Sequence, residues 1–308
     1  MEIKWLEDFL ALAETRNFSR AATQRNVTQP AFSRRIRALE SWLGNELFDR
    51  AAYPTALTPA GKAFRDVATE LLRQLYDARS VLQGAQKLPG NAVRFAVAHT
   101  LSLTHLPGWL EAVQRDFGAL VAQVTATNVH DGVLSLIEGG CDFLLCYQHP
   151  RLPLLLNPER FMHIRIGDEN LRPYSTCDQR GKAEYALPGT AAAPVPYMAY
   201  ASGAFLGKAV ALILEQAPHR THLQVAHQAD MTDALKALLL MRKGIAWLPE
   251  SATAREVADR NFTALSGDDE WTLKLEINLY RARESTRPVV GKLWRHLVKD
   301  VATGSKIA

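Results

Sequence analysis

One stretch of this 308-residue chain limits what the rest can fold into. From Thr58 to Leu88 nothing breaks a helix, and Phe64, Ala68, Leu71, Leu75, Ala78 and Leu82 recur at spacings of four, three, four, three and four. That is a heptad seam, one apolar stripe that needs a partner to bury it. About 28 residues of helix reach roughly 40 Å, farther than one small domain covers. Packing against the preceding residues accounts for Phe64 and part of the seam, and the remainder predicts a dimerisation helix. Pro89-Gly90 is the hinge that follows. The chain thus divides into residues 1–58, a linker helix and hinge over 59–90, and a rear part over 91–308.

The front part is read from its apolar periodicity. Trp5, Phe9 and Leu12 put one stripe on a helix from Lys4 to Arg16. Ser19 is placed to cap a short second helix through Arg25, with Ala21 and Ala22 allowing close packing. After a turn at Asn26-Val27, Thr28 caps a third helix with Pro30 in its first turn and Phe32, Ile36, Leu39 and Leu43 on its buried side. Gly44 ends that helix in the left-handed conformation. Burying this stripe turns Gln29, Pro30, Ser33, Arg34 and Arg37 outward. An arginine fork matches guanine, a glutamine amide matches adenine, and hydroxyls hold phosphates, so the face suits a major groove. A solvated basic face on an ordinary helical bundle fits the same composition equally well.

Charge enters here through its distribution. The formal charge of +4 comes from 36 basic and 32 acidic residues, and +3 of it lies in residues 1–90. Between residues 16 and 50, Arg16, Arg20, Arg25, Arg34, Arg35, Arg37 and Arg50 oppose only Glu40, Glu46 and Asp49. Leu47-Phe48, the turn at Tyr53-Pro54 and Ala56-Leu57 then read as a two-stranded wing with Arg50 near the flanking phosphates. The front part is a winged helix-turn-helix.

Several runs resemble the N-terminal signature of LysR-type transcriptional regulators: Phe18-Ser19-Arg20-Ala21-Ala22, Thr28 to Glu40, Leu47-Phe48-Asp49-Arg50 and Leu57-Thr58-Pro59-Ala60-Gly61. The resemblance implies a dimer or tetramer on promoter DNA, with Gln29, Pro30, Ser33, Arg34 and Arg37 facing the groove. Two recognition helices on one duplex predict an inverted-repeat site. RNA polymerase is then a possible further partner. The wing tip, Ala51 to Thr55, is less basic than is common in the family.

In the rear part, strand-like runs (93–98, 120–125, 143–147, 197–200, 223–226, 245–248, 271–281) alternate with helical ones (101–113, 133–138, 205–215, 230–242, 288–301). That alternation predicts two small α/β lobes. Ligands of such sheets bind at the carboxyl ends of strands. Three junctions stand out: His99-Thr100-Leu101-Ser102, Ala201-Ser202-Gly203 and Gln228-Ala229-Asp230-Met231. Thr100 and Ser202 also suit plain helix capping. Asp230 would repel an anion unless it caps its helix or selects an amino or hydroxyl group.

The LysR resemblance implies a periplasmic-binding-protein-like, two-lobed effector domain, with lobe I over 91–167 and 269–308 and lobe II over 168–268. It also implies that Thr100 and Ser102 hold an effector carboxylate. The expected fold class is therefore α/β, with a winged helix-turn-helix, a long linker helix and this effector domain. The candidate effector residues are Thr100, Leu101, Ser102, Ser202, Gly203, Asp230 and Met231, and the expected ligand is a small anion. The runs 30–40, 98–103 and 244–250 further resemble the hypochlorite-responsive branch, which makes an oxidant the other candidate signal. Only Met198 and Met231 of five methionines lie near the expected cleft.

Other classes have less support. With 47% hydrophobic and 22% charged residues, disorder and a fibrous fold are excluded. Ala234 to Trp247, the longest apolar candidate, is interrupted by Lys236, Arg242 and Lys243, so no membrane span is expected. The first twelve residues lack the order of a signal peptide, and three cysteines make no paired framework, so a cytoplasmic location is expected. No nucleophile elbow, phosphate loop or dinucleotide fingerprint is present, and neither His219/His222 nor Cys141/Cys146 has a second pair at metal-site spacing. The expectation is therefore no enzyme and no cofactor or metal. A metal-dependent enzyme is the weaker alternative, and a solute-binding module whose front helices only oligomerise is the other.

Overall fold

The computed structural model describes residues 2–82, 89–265, 269–285 and 287–302. In the head, α1 (Ile3–Thr15), α2 (Phe18–Gln24) and α3 (Gln29–Leu43) pack around Phe9, Phe32 and Phe48, all fully buried. Phe9 lies 5.4 Å from Phe48 and 5.2 Å from Phe64 between ring centroids, and Phe18 meets Phe32 edge-on at 6.2 Å. Each such ring contributes about 1.5–3 kcal/mol by burial, so these side chains hold the small head together.

The cap of α2 differs from expectation. Asn17, not Ser19, is the capping residue, and its side chain accepts from the Arg20 amide. Ser19 already lies inside the helix. Thr28 precedes α3 without a side-chain cap, and Gly44 ends α3 at φ 67°. The wing is a minimal hairpin of β1 (Phe48–Asp49) and β2 (Ala56–Leu57).

Linker helix α4 (Pro59–Leu82) begins against the wing. The first half of its seam is occupied: Phe64 packs on Phe9, and Ala68 is fully buried together with Leu72, which the seam did not include. Farther on, Leu71 and Leu75 are 43% and 40% exposed, and Ala78 is also exposed. Leu82 closes the helix, and its side chain and residues 83–88, up to the expected hinge, lie outside the described residues.

The rear part carries β3 (Ala92–Ala98), α5 (His99–Thr104), α6 (Leu106–Phe117), β4 (Val121–Thr127), α7 (Val129–Ile137), β5 (Phe143–Gln148) and β6 (Phe161–Thr176). Then follow β7 (Val195–Tyr200), α8 (Phe205–Gln216), β8 (Leu223–Ala229), α9 (Thr232–Arg242), β9 (Ile245–Pro249), α10 (Ala254–Ala258), β10 (Phe262–Ala264), β11 (Leu273–Ala282) and α11 (Pro288–Ala302). The single helix expected over 101–113 is two. It breaks at His105, and Pro107 sits in the first turn of the second, where its missing N–H is harmless.

Strand order is β4-β3-β5-β11-β6-β9-β7-β8, with β10 on β6. Strands β3, β4 and β5 are parallel, as are β7, β8 and β9, and β6 and β11 run antiparallel to their neighbours. The sixteen-residue β6, absent from the sequence reading, and the ten-residue β11 pass through both lobes and join them into one nine-stranded sheet. Their register shifts between Ile277 and Asn278, opposite Gly167 and Arg165.

Candidate DNA-binding face and effector cleft

The groove-facing set lies together on α3. Gln29, Pro30, Arg34 and Arg37 are exposed and Ser33 is half-buried, while Phe32, Ile36 and Leu39 on the opposite side are fully buried. Gln29 Nε2 donates to Ser33 Oγ at 3.2 Å, one turn along. The arginine patch divides in a way that charge counting does not reveal. Arg25 and Arg35 bind Asp8, Arg16 binds Glu159, and Arg50 Nη2 lies 2.5 Å from Glu40 Oε2. Arg20, Arg34 and Arg37 keep no ion pair among the described residues, and all three are exposed. A guanidinium without a carboxylate partner is available to a phosphate or base edge.

Arg50 lies on the wing as expected, directly after β1, and has an acidic neighbour there. Its charge is met by Glu40, whose Oε1 also accepts from the amides of Leu47 and Phe48 at 3.0 and 3.3 Å. This carboxylate ties the end of α3 to the wing. Arg50 additionally lies 5.9 Å from the Phe18 ring.

The expected effector residues do not all converge. Thr100 is buried in α5 of lobe I, and its Oγ1 lies 2.8 Å from Oγ1 of Thr232, the first residue of α9 in lobe II. Thr232 Oγ1 is also 2.9 Å from the Tyr200 hydroxyl at the end of β7. One chain of hydroxyls thus bridges the lobes. Leu101 is fully buried, and Ser102 turns its hydroxyl to its own turn, donating to the His99 carbonyl. Ser202, Gly203 and Asp230 are exposed, and Met231 is the half-buried residue before α9 with no capping bond from its side chain.

Three further groups not singled out in the sequence are buried or partly buried in the effector domain. Tyr147, at the end of β5, is buried, stacks on Phe205 at 6.5 Å, and its hydroxyl has no partner among the described residues. His105 is partly buried with Nε2 likewise unpartnered, and burial holds its imidazole below the usual range, which keeps it neutral. Glu169 is buried between the Ser251 hydroxyl and the amides of Ser251 and Asn170, and burial raises its carboxyl. The sequence signal for Tyr147 is its place near the end of β5, like Ala98 at the end of β3 and Tyr200 at the end of β7. Thr232 lies one position beyond the last residue of its expected junction.

Sulfur is mostly withdrawn. Burial pushes the Cys141 thiol up to about 12 and raises Cys146 as well, while Cys177 is raised by partial burial and the nearby Asp178 and Glu184. Met198 is buried. No group of three or more metal-binding side chains occurs among the described residues, and no described helix is long and apolar enough to cross a membrane.

Comparison with known proteins agrees in both parts. Residues 3–62 match the bacterial regulatory helix-turn-helix proteins of the lysR family, and residues 86–302 match the LysR substrate binding domain. The chain is 34% identical over 301 residues to the HTH-type transcriptional regulator YjiE of Escherichia coli strain K12, covering 96% of this chain and 94% of that protein. The structure of Vibrio fischeri DarR in complex with DNA is 38% identical, with coverage of 96% and 98% and a TM-score of 0.60. Full-length HypT of Salmonella typhimurium, described as a hypochlorite-specific LysR-type transcriptional regulator, is 33% identical, with coverage of 98% and 99% and a TM-score of 0.59. The chain belongs to the LysR family: it is a LysR-type DNA-binding transcriptional regulator with a substrate-binding effector domain.

Proposed function

We propose that the protein binds an inverted-repeat promoter site as a dimer or tetramer and changes transcription when a small anion enters the cleft between its lobes. The observation that carries the DNA contact is the exposed α3 face, where Arg34 and Arg37 have no acidic partner among the described residues while four neighbouring arginines do. Arg34 is assigned to a base edge, with Gln29, Pro30, Ser33 and Arg37 alongside. The exposed run of Leu71, Leu75 and Ala78 supports pairing of α4 with a second copy. RNA polymerase is the natural recipient of a change in DNA bend or head position, and cytoplasm is the compartment in which all these partners meet.

For the ligand, the cleft offers hydroxyls of Thr100, Thr232, Tyr200 and Tyr147, a neutral His105 and the free amides at the start of α9. Neutral donors of this kind suit a small anion. An effector acts by having different affinity for the two lobe arrangements. With Thr100 bonded directly to Thr232, a ligand that inserts between them favours a wider one. The oxidant reading draws on the likeness to the hypochlorite-specific HypT, and Met231 is the half-buried sulfur nearest this network in sequence.

Replacing Arg34→Ala tests the central assignment. Anisotropy titration of promoter duplex should show loss of about 1–3 kcal/mol of specific affinity and a shallower salt dependence, with the melting temperature unchanged. Retained affinity and slope would contradict it.

A further inference from the structure

The head is not held to the sensor by α4 alone. Arg25, which follows α2, donates to Glu7 and Asp8 of α1 and, at 3.0 Å, to Glu138 after α7 of lobe I. The Tyr76 hydroxyl of α4 donates to Glu7 at 2.5 Å and approaches Glu138 at 3.3 Å. His130 of α7 meets the Gln24 carbonyl at 2.9 Å. A second buried contact lies beside the first: Glu14 of α1 accepts from Arg160 at 3.0 Å and from the Asn157 amide, both in lobe I. None of these groups is used in reading DNA, and the exposed face of α3 stays open while they are engaged.

The first cluster has a charge imbalance. Glu138 faces Arg25 from α2, Glu7 and Asp8 from α1 and Tyr76 from α4, and Asp131 of α7 lines the small cavity beside it. Glu7, Asp8 and Glu138 supply three carboxylates, against the guanidiniums of Arg25 and Arg35. All three acids have little exposed surface, so the uncompensated negative charge is poorly solvated. A proton is the smallest ion that balances it. Undocking would leave Arg25 with Glu7 and Asp8 and return Glu138 to water.

We propose that the DNA-binding head docks on lobe I through this carboxylate cluster as a proton-linked clamp, so that head and lobe I turn as one body and the clamp loosens as the medium becomes more alkaline. Movement between the lobes then reaches the recognition helix directly, without depending on the stiffness of the linker. Burial, and after it the neighbouring Glu7 and Asp8 charges against the opposing pull of Arg25 and Tyr76, push Glu138 up to about 7 from 4.5. An acid raised in the docked state stabilises docking below its undocked value and loses that contribution as pH rises through its docked value. Between pH 6 and pH 8.5 the docking constant should fall by roughly tenfold.

The proposal rests on the head being the DNA-binding part, but its test reads docking alone, so the two can fail separately. Spin labels at Asn45→Cys in the head and Asp116→Cys in lobe I, in a Cys177→Ser background and diluted into an excess of unlabelled chain so that an oligomer holds one labelled copy, report the head-to-lobe distance within one chain by pulsed dipolar spectroscopy. At pH 6 the wild-type background should give one narrow distance, with a second population growing at pH 8.5. Glu138→Gln should stay narrow at both values, and Glu138→Lys should be broad at both. A distribution that ignores pH and Glu138→Lys, or a pH response kept in full by Glu138→Gln, would overturn the clamp. Should Glu138→Lys fail to fold by circular dichroism, Glu138→Gln and the pH series decide the matter.

Discussion

Removing Glu40 separates two roles that meet at the wing. Its carboxylate accepts from the amides of Leu47 and Phe48, residues that are both buried, and from Arg50. In Glu40→Ala both amides lose their acceptor, at about 1–3 kcal/mol each. The ion pair adds little, below about 1 kcal/mol, because Arg50 is partly exposed. The expected loss is about 2–7 kcal/mol, a large share of the roughly 5–15 kcal/mol that holds a domain folded. Glu40→Gln keeps an acceptor for the amides and loses only the charge, so it should cost about 1 kcal/mol. It also releases the Arg50 cation at the wing, which should raise affinity for promoter duplex at low salt and steepen the salt slope by about one ion. Urea denaturation followed by circular dichroism gives the first quantity and anisotropy titration gives the second. A Glu40→Ala protein within about 1 kcal/mol of wild type, or a Glu40→Gln protein as damaged as Glu40→Ala, would refute the reasoning.

Other substitutions probe the remaining parts. A Cβ at Gly61 would lie 2.1 Å from the Leu47 carbonyl oxygen, so Gly61→Ala should destabilise the head by about 2–4 kcal/mol, and an unchanged thermal melt would contradict that packing. Leu71→Glu with Leu75→Glu should leave circular dichroism unchanged and reduce the mass seen by sedimentation to that of one chain; an undiminished mass would remove α4 from the self-association. Thr100→Val deletes the hydroxyl that meets Thr232 and should lower effector-domain stability by about 1 kcal/mol, with Thr100→Ser restoring it. Equal melting of the two variants would show that the inter-lobe bond contributes nothing.

The head was legible because its information is local. Trp5, Phe9 and Leu12, and again Phe32, Ile36 and Leu39, recur at helical spacing, Gly44 ends a helix, and Pro30 starts one, so these helices follow from neighbours a few residues apart. What escaped depends on distance in the chain. Arg25 and Arg35 counted as surface charge until folding brought Asp8 against them, and Arg50 until Glu40 did. The long strand β6 was hidden because Arg165, Asp168, Glu169 and Arg172 interrupt its apolar residues, and half of its support comes from β11, about a hundred residues later. In the cleft, the junction logic found Thr100 but not its partner. Ser102 has the same chemistry, yet one turn of helix directs its hydroxyl to a backbone carbonyl.

The central claim is that α3 reads promoter DNA through Arg34 and its neighbours, twice per duplex. Incubating the purified protein with fragments of genomic DNA and sequencing those retained tests both halves of that claim. The wild-type chain should enrich an inverted repeat whose half-sites lie one helical turn, about 10 base pairs, or a multiple apart, and Arg34→Ala should lose it. No enriched motif, or the same motif retained by Arg34→Ala, would contradict the account.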